Sequence, residues 1–292
     1  MTGLAPTAPR PGARAWWRAI EPVHAVTYFA AESRQALADT GLRGFWMGYF
    51  AARLAPVGAV GPSTAIATCF NFHPAMVRRS LPDAWSHASP PAVLAARRRS
   101  AGLALRRLDP SVEGAAAALV PVLSEVVAKA DGAGRVLFGA NRDLEPAEDS
   151  VESLWQACTS LREHRGDGHV AALTAAGLGG CQALVLFALS EELPTQMFRD
   201  SRGWSNDEWE EARADLERRG LVEGERIAPL GLDLRRAVEQ TTDELAALPF
   251  AALSDADVID AHRRLAGLAA RVAAGGEIPF PNPMGLPAPG PG

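Results

Sequence analysis

WSNDEWEEARADLERRGLVEGERIAPLGLDLRRAVEQTTDEL, residues 204–245, carries more structural instruction than any other stretch of this chain of 292 residues. Ser205 stands where a helix would begin, and Glu208 follows three residues on. That pair satisfies two orphan N–H groups reciprocally at a helix start. In the helix so opened, Trp209, Ala212 and Leu216 fall on one face. Gly220 stops it. LVEGERIAPLG then predicts two short strands around Gly224. A long amphipathic helix follows from about Gly231 to Leu248, with Leu234, Val238 and Leu245 as its apolar stripe. Upstream, an apolar helix runs from Gly180 to Leu193. Pro194, tolerated at a first helical position, opens a short helix TQMFRDS.

Helix, short helix, helix, small β-wing, long helix is the order of a winged helix-turn-helix. The run from Trp204 resembles the recognition-helix, wing and long-helix region of MarR-type regulators. The whole chain resembles an actinobacterial helix-turn-helix family of that relation. The resemblance implies a mostly helical winged-helix fold and a regulator, for which DNA is a possible partner.

The chain also repeats itself. Gly48 matches Gly168, Pro74 matches Pro194 and Arg79 matches Arg199 at a spacing of 120 residues; Trp85-Ser86 matches Trp204-Ser205 at 119, and Gly102-Leu103 matches Gly220-Leu221 at 118. A unit this long is a small domain or half of a pseudo-symmetric one, not a solenoid repeat. The expected fold is mainly α, with two tandem winged helix-turn-helix units from an internal duplication, small β-wings and a long C-terminal helix. Pro and Gly clusters place the cuts: a flexible leader at 1–20, a first unit at 21–130, a linker at 131–150, a MarR-like second unit at 151–274 and a proline-rich tail at 275–292.

Composition bounds the class. At 48% hydrophobic the chain can bury one large core or two ordinary ones. Its longest uncharged apolar stretches, such as GGCQALVLFALS, fall short of a membrane span. The N-terminus lacks an apolar stretch of signal-peptide length, so a cytoplasmic location is expected. Cys69, Cys158 and Cys181 form no CxxC pair and carry no metal spacing, which fits buried thiols better than a metal site. Of the 29 basic residues only Lys129 is lysine, a mark of coding bias that weakens any argument from arginine counts.

Charge divides the two units. The helix after Trp204 carries Asp207, Glu208, Glu210, Glu211, Asp215 and Glu217 against Arg213, Arg218 and Arg219, and net acidic helices do not approach phosphate. Residues 60–108 hold Asp83 as their one acid beside Arg78, Arg79, Arg97, Arg98, Arg99, Arg106 and Arg107. DNA contact, where made, would therefore run through the first unit, with Arg78, Arg79, Arg97, Arg98 and Arg99 as candidates. The same arginines also fit a solvated helix face, or pairing with the acidic helix of the second unit; the net charge of −5 agrees with that alternative.

Aromatics and histidines gather at matching points of the repeat. Trp46, Tyr49, Phe72, His73 and Trp85 in the first unit, with His164, His169 and Trp204 in the second, are candidates to line a pocket for a small hydrophobic ligand. Gly166 and Gly168 predict a bend between His164 and His169, so the two rings need not share a helical face. No dinucleotide glycine pattern, phosphate loop or nucleophile elbow accompanies them, and no cofactor is indicated. The alternative to a regulator is a small-molecule-binding protein or enzyme that uses this cleft without DNA. In the tail, Phe280, Met284 and Leu286 are apolar enough to dock and close one end of the cleft, against a disordered alternative. The assembly is either a monomer acting as a pseudo-dimer or a homodimer.

Overall fold

A computed structural model describes residues 9–288. Residues 1–8 of the expected leader and 289–292 of the tail lie outside the described residues. Among the described residues the chain is almost wholly helical: α1 (Ala13–Phe29), α2 (Ala31–Asp39), α3 (Gly44–Leu54), α4 (Pro62–Thr68), α5 (Pro74–Arg78), α6 (Ala84–His87), α7 (Pro90–Leu108), α8 (Val112–Lys129), α9 (Val136–Arg142), α10 (Ser150–Ala175), α11 (Gly180–Ser190), α12 (Thr195–Arg202), α13 (Asn206–Arg218), α14 (Pro229–Ala247) and α15 (Asp255–Ala274). A hairpin joins β1 (Val222–Glu223) to β2 (Arg226–Ile227), antiparallel, with Val222 opposite Ile227.

Local chemistry explains the region from α11 to α14. Ser205 and Glu208 form the reciprocal cap of α13, and Trp209, Ala212 and Leu216 are its buried face. Gly220, at φ +70°, ends it, and Gly224, at φ +60°, turns the hairpin; both conformations favour a residue without Cβ.

Three apolar cores organise the molecule. A central one collects α1, the C-terminal part of α7, α8, the N-terminal part of α10 and α15, with Trp155, Leu119 and Leu123 among its fully buried side chains. A second lies under α3 to α6 and includes Phe50, Leu54 and Leu81. The third lies under α11 to α14 and the hairpin and includes Phe198, Trp209 and Leu216. Two long helices tie the flanking cores to the centre. α7 gives Val93 to the second core and Ala101, Ala104 and Leu105 to the central one. α10 gives Leu154 and Leu161 to the centre and Ala172 and Leu173 to the third. The central core thus draws on both sides of residues 131–150 and does not divide there.

Four expectations are corrected. α1 starts at Ala13, inside the stretch read as a leader, because Trp16, Ile20 and Val23 recur at helical spacing and all pack into the central core. The stretch 131–150 holds α9, with Leu137 and Phe138 fully buried. No bend occurs at Gly166 or Gly168, since α10 runs unbroken through both. A helical glycine costs about 1 kcal/mol against alanine, which apolar packing of both ends of α10 outweighs. A Cβ at Gly168 would stand 2.7 Å from Arg135 Nη1, so glycine there makes room for that arginine. Lastly, among the described residues no strand follows the first half's helix. α7 continues past Gly102, where a Cβ would come within 3.0 Å of Glu152 Cγ on α10; this glycine permits a close helix crossing, whereas Gly220 ends a helix.

The landmarks of the repeat agree only in part. Pro74 opens α5 and Pro194 precedes α12. Trp85 lies within α6 and its Nε1 donates to the Val60 carbonyl of its own half, whereas Trp204 precedes α13 and its Nε1 donates across to the Asn71 carbonyl of the first half, each at 2.9 Å. No single helix among the described residues is long and apolar enough to cross a membrane; α10 and α11 reach that hydropathy only together, across a 99° bend.

Candidate ligand cavity between the halves

The cavity follows from how α10 crosses the molecule. Arg162, Arg165, Gly166, His169, Val170 and Leu173 recur every three or four residues along it and all face one space. α1 closes one side with Trp17, Glu21 and Tyr28, α3 another with Trp46, Tyr49 and Arg53, and the α4–α5 loop a third with Phe70, Asn71 and Phe72. The volume is about 540 Å³, within the ordinary range of small-molecule sites, and the cavity is partly open to solvent. The tail forms part of its wall through Pro283, Met284, Gly285 and Pro287.

The tail is held by its own chemistry. Asn282 is buried, and its side chain donates to the carbonyls of Pro279 and Leu286 and accepts from the N–H groups of Met284 and Leu286, at 3.0–3.2 Å. Gly285, at φ +73°, presses on Phe187; a Cβ there would come within 2.4 Å of Phe187 Cζ. Ile278 and Leu286 are buried in the central core.

The cavity wall is aromatic and strongly ionic. Tyr28 and Tyr49 meet at 5.2 Å between ring centroids, and Tyr49 and Phe72 at 5.3 Å. Two sets of ion pairs back these rings. Arg53 and Arg162 both bind Glu163, at 3.1 and 3.0 Å. Arg14, Arg165 and Arg235 share Glu239, while Arg165 also reaches Asp243 at 2.8 Å. Burial works to raise the Glu163 carboxyl, but the charges of Arg162 and Arg53 prevail and hold it down at about 2. Burial likewise works to raise Glu239, and the charges of Arg235, Arg14 and Arg165 hold it low.

His169 is tied to α14. Its Nδ1 lies 2.9 Å from Thr242 Oγ1, and that hydroxyl donates its proton to the Val238 carbonyl at 2.7 Å. The hydroxyl must then accept from the ring, which fixes Nδ1 as the protonated nitrogen and leaves the Nε2 lone pair free. Burial depresses the ring to about 4, so it is neutral near pH 7. A buried chain runs behind Tyr28, whose hydroxyl lies 2.9 Å from His24 Nε2; His24 Nδ1 lies 3.0 Å from Thr159 Oγ1.

Of the eight pocket candidates, Trp46, Tyr49, Phe72 and His169 line this cavity, and the other four do not. His164 faces away, buried edge-on against Phe138 at 4.8 Å, because a continuous α10 turns it off the face that His169 shares. Trp85 packs in the second core. His73 and Trp204 instead join the halves beside the cavity. The His73 N–H donates to the Arg202 carbonyl, its Nδ1 caps α5 at Ala75, its Nε2 lies 2.8 Å from Glu208 Oε1, and its ring meets Trp204 edge-on at 4.9 Å.

The arginine candidates separate too. Arg97 is 4% exposed, donates to the Ala52 carbonyl and Asn141 Oδ1, and so is withdrawn from any phosphate. Arg98 pairs with Glu152 at 3.2 Å. Arg106 pairs with Glu113 and Asp149, and Arg107 with Glu32 and Glu277. Their acids lie on other elements, so pairing with the acidic α13 does not occur. α13 is instead self-paired through Arg213–Glu210 and Arg218–Asp215. Arg78, Arg79 and Arg99 stay exposed. All three cysteines are free and buried, and burial pushes the Cys158 thiol up to about 12.

Arg162, Tyr28, Arg202 and Glu239 escape the sequence reading, as does Glu163 behind the wall. Arg162 is legible in LREHRGDGH, where positions 162, 165, 166 and 169 form one helical stripe once the glycines are read as helical. No curated protein and no solved structure matches the chain. A helix-turn-helix family matches it from residue 13 to residue 279, nearly its whole length and all three cores, and the chain belongs to that family.

Proposed function

We propose that this helix-turn-helix protein is a ligand-responsive regulator of MarR-like type whose effector is a small molecule seated in the central cavity. The carrying observation is the position of that cavity: it is bounded by elements of both flanking cores and by α10, which runs from the central core into the third, so an occupant touches both halves at once. Family membership points to DNA at a coarse level, and Arg78, Arg79 and Arg99 are exposed cations of the first half that could meet it. We read the halves as copies of one module, the second with a wing and the first without; the matched places of Pro74 and Pro194 support this.

A second reading keeps the cavity and drops the DNA. The acidic, self-paired α13 favours it, since the helix that should enter the major groove carries no surplus of cations. Fluorescence anisotropy with a mixed-sequence duplex at low ionic strength separates the two. A regulator binds with a steep salt dependence that flattens by about 0.9 per contact removed in Arg78→Ala, Arg79→Ala and Arg99→Ala. An absence of salt-dependent binding discards the regulator and leaves the second reading. Native mass spectrometry of the purified protein, for a retained small molecule, tests the cavity itself.

A further inference from the structure

The arginines around the cavity are not equally satisfied. Arg14, Arg53, Arg162, Arg165 and Arg235 each have a carboxylate within ion-pair distance. Two lining arginines, Arg18 and Arg202, have none among the described residues; Arg18 is exposed to water, whereas Arg202, at the C-terminal end of α12, is half-buried. Its Nη1 donates to the Ser201 carbonyl and its Nη2 to that of Pro283, each at 3.1 Å. Two of a guanidinium's five N–H donors are thereby used, both on neutral acceptors. The guanidinium lies 4.7 Å from the centroid of the Phe72 ring and lines the cavity.

This placement is costly as it stands. A cation taken from water needs a counter-charge or several strong acceptors. Burial depresses the Arg202 guanidinium, and the positive charges of Arg53 and Arg162 act in the same direction. The carboxylates of the cavity wall are engaged elsewhere: Glu239 pairs with Arg14, Arg165 and Arg235, Glu191 with Arg235, and Glu21 with Arg162 and the Trp17 Nε1–H.

We propose that the ligand of this cavity is an aromatic or similarly flat organic anion, its acidic group bound by Arg202 and its body stacked among Phe72, Tyr49 and Trp46. The inference rests on the cavity being the ligand site. Arg202 suits a planar carboxylate or a sulfonate, since a guanidinium presents paired donors to such groups. The rings around it give a flat apolar body its surface. His169, neutral and with Nε2 free, adds an acceptor for a hydroxyl or N–H elsewhere on the same molecule.

Two probes that differ by one group test this directly. 8-Anilinonaphthalene-1-sulfonate and N-phenyl-1-naphthylamine share a flat body, and only the first carries an anion. The full chain should bind the sulfonate at one site, at least tenfold more tightly than the amine by fluorescence and calorimetric titration. Arg202→Gln should remove that advantage while leaving amine affinity within about twofold. Arg202→Lys should restore part of it, which separates charge from packing, and a thermal melt checks that both variants are folded. Equal affinity of the intact protein for both probes, or a sulfonate affinity unmoved in Arg202→Gln, overturns the anion assignment and leaves the cavity as an apolar site. Stoichiometric binding of neither probe overturns the cavity reading and this inference together.

Discussion

Arg162 and Arg53 hold Glu163 as an anion, whereas the imidazoles of His24, His164 and His169 are held neutral by burial. These shifts set the acid response. A histidine depressed in the folded state takes its proton more readily when unfolded. Its contribution to stability is therefore present above about pH 6.5 and is lost as pH falls toward 4. Glu163 adds a further loss between about 4.5 and 2. Asp167, raised to about 6 by burial, acts in the opposite sense: its native state holds the proton, so its contribution is present at low pH and fades as pH rises from about 3.8 through 6. Each titrating group changes the free energy of unfolding by about 1.4 kcal/mol per pH unit, and three histidines outweigh one aspartate. Urea denaturation should show a midpoint that is level above pH 7 and falls steadily from 6.5 to 4. His164→Gln should make that slope shallower, and an unchanged slope would contradict its neutral burial. At this scale the sequence is least informative. His164 and His169 look alike in the chain, and their different fates depend on the face of α10 each occupies. The unpaired state of Arg202 depends on where carboxylates from α1, α10 and α14 come to rest.

Single elements show why parts of the fold were legible. The region from α11 to α14 is written in short-range chemistry: a reciprocal cap at Ser205 and Glu208, and glycines at positive φ at 220 and 224. Those signals act within a few residues and need no tertiary context. The continuity of α10 was not legible, because a local preference at Gly166 and Gly168 is overridden by packing at both ends of the helix. Glycine substitutions separate the two kinds of signal. Gly166→Ala should raise stability by about 0.5–1 kcal/mol, since its Cβ would meet only the tips of Glu163 and Arg162 at 3.5 and 3.6 Å. Gly180→Ala should be strongly destabilising, because its Cβ would stand 2.2 Å from the Phe70 carbonyl oxygen, where the start of α11 meets the α4–α5 loop. Thermal melts of the two variants should move in opposite directions.

On the scale of the whole molecule, the sequence repeat indicated that two similar halves exist but not what lies between them. The central core, assembled from α1, α7, α8, α10 and α15, takes residues from the expected leader, both units and the tail. A division into sequential units could not expose it, because its contacts join positions far apart in the chain. The cavity is a product of the same arrangement. Truncation after Ile278 would remove Pro283, Met284, Gly285 and Pro287 from its wall and the Pro283 carbonyl from Arg202. The truncated chain should keep its helical circular dichroism and most of its melting temperature while binding 8-anilinonaphthalene-1-sulfonate more weakly. A collapse of helical signal would instead make the tail a folding element.

The strap formed by Asn282 and its neighbours makes part of the cavity wall independent of any helix. Asn282 closes its hydrogen bonds within residues 279–286, so the loop keeps its own shape, while Ile278 and Leu286 pin it to the central core and Pro283 meets Arg202. The outline of that wall can therefore be redrawn by substitutions at Pro283, Met284 and Pro287 with no helix disturbed, which makes this short segment the place where the choice of occupant can change while the fold does not.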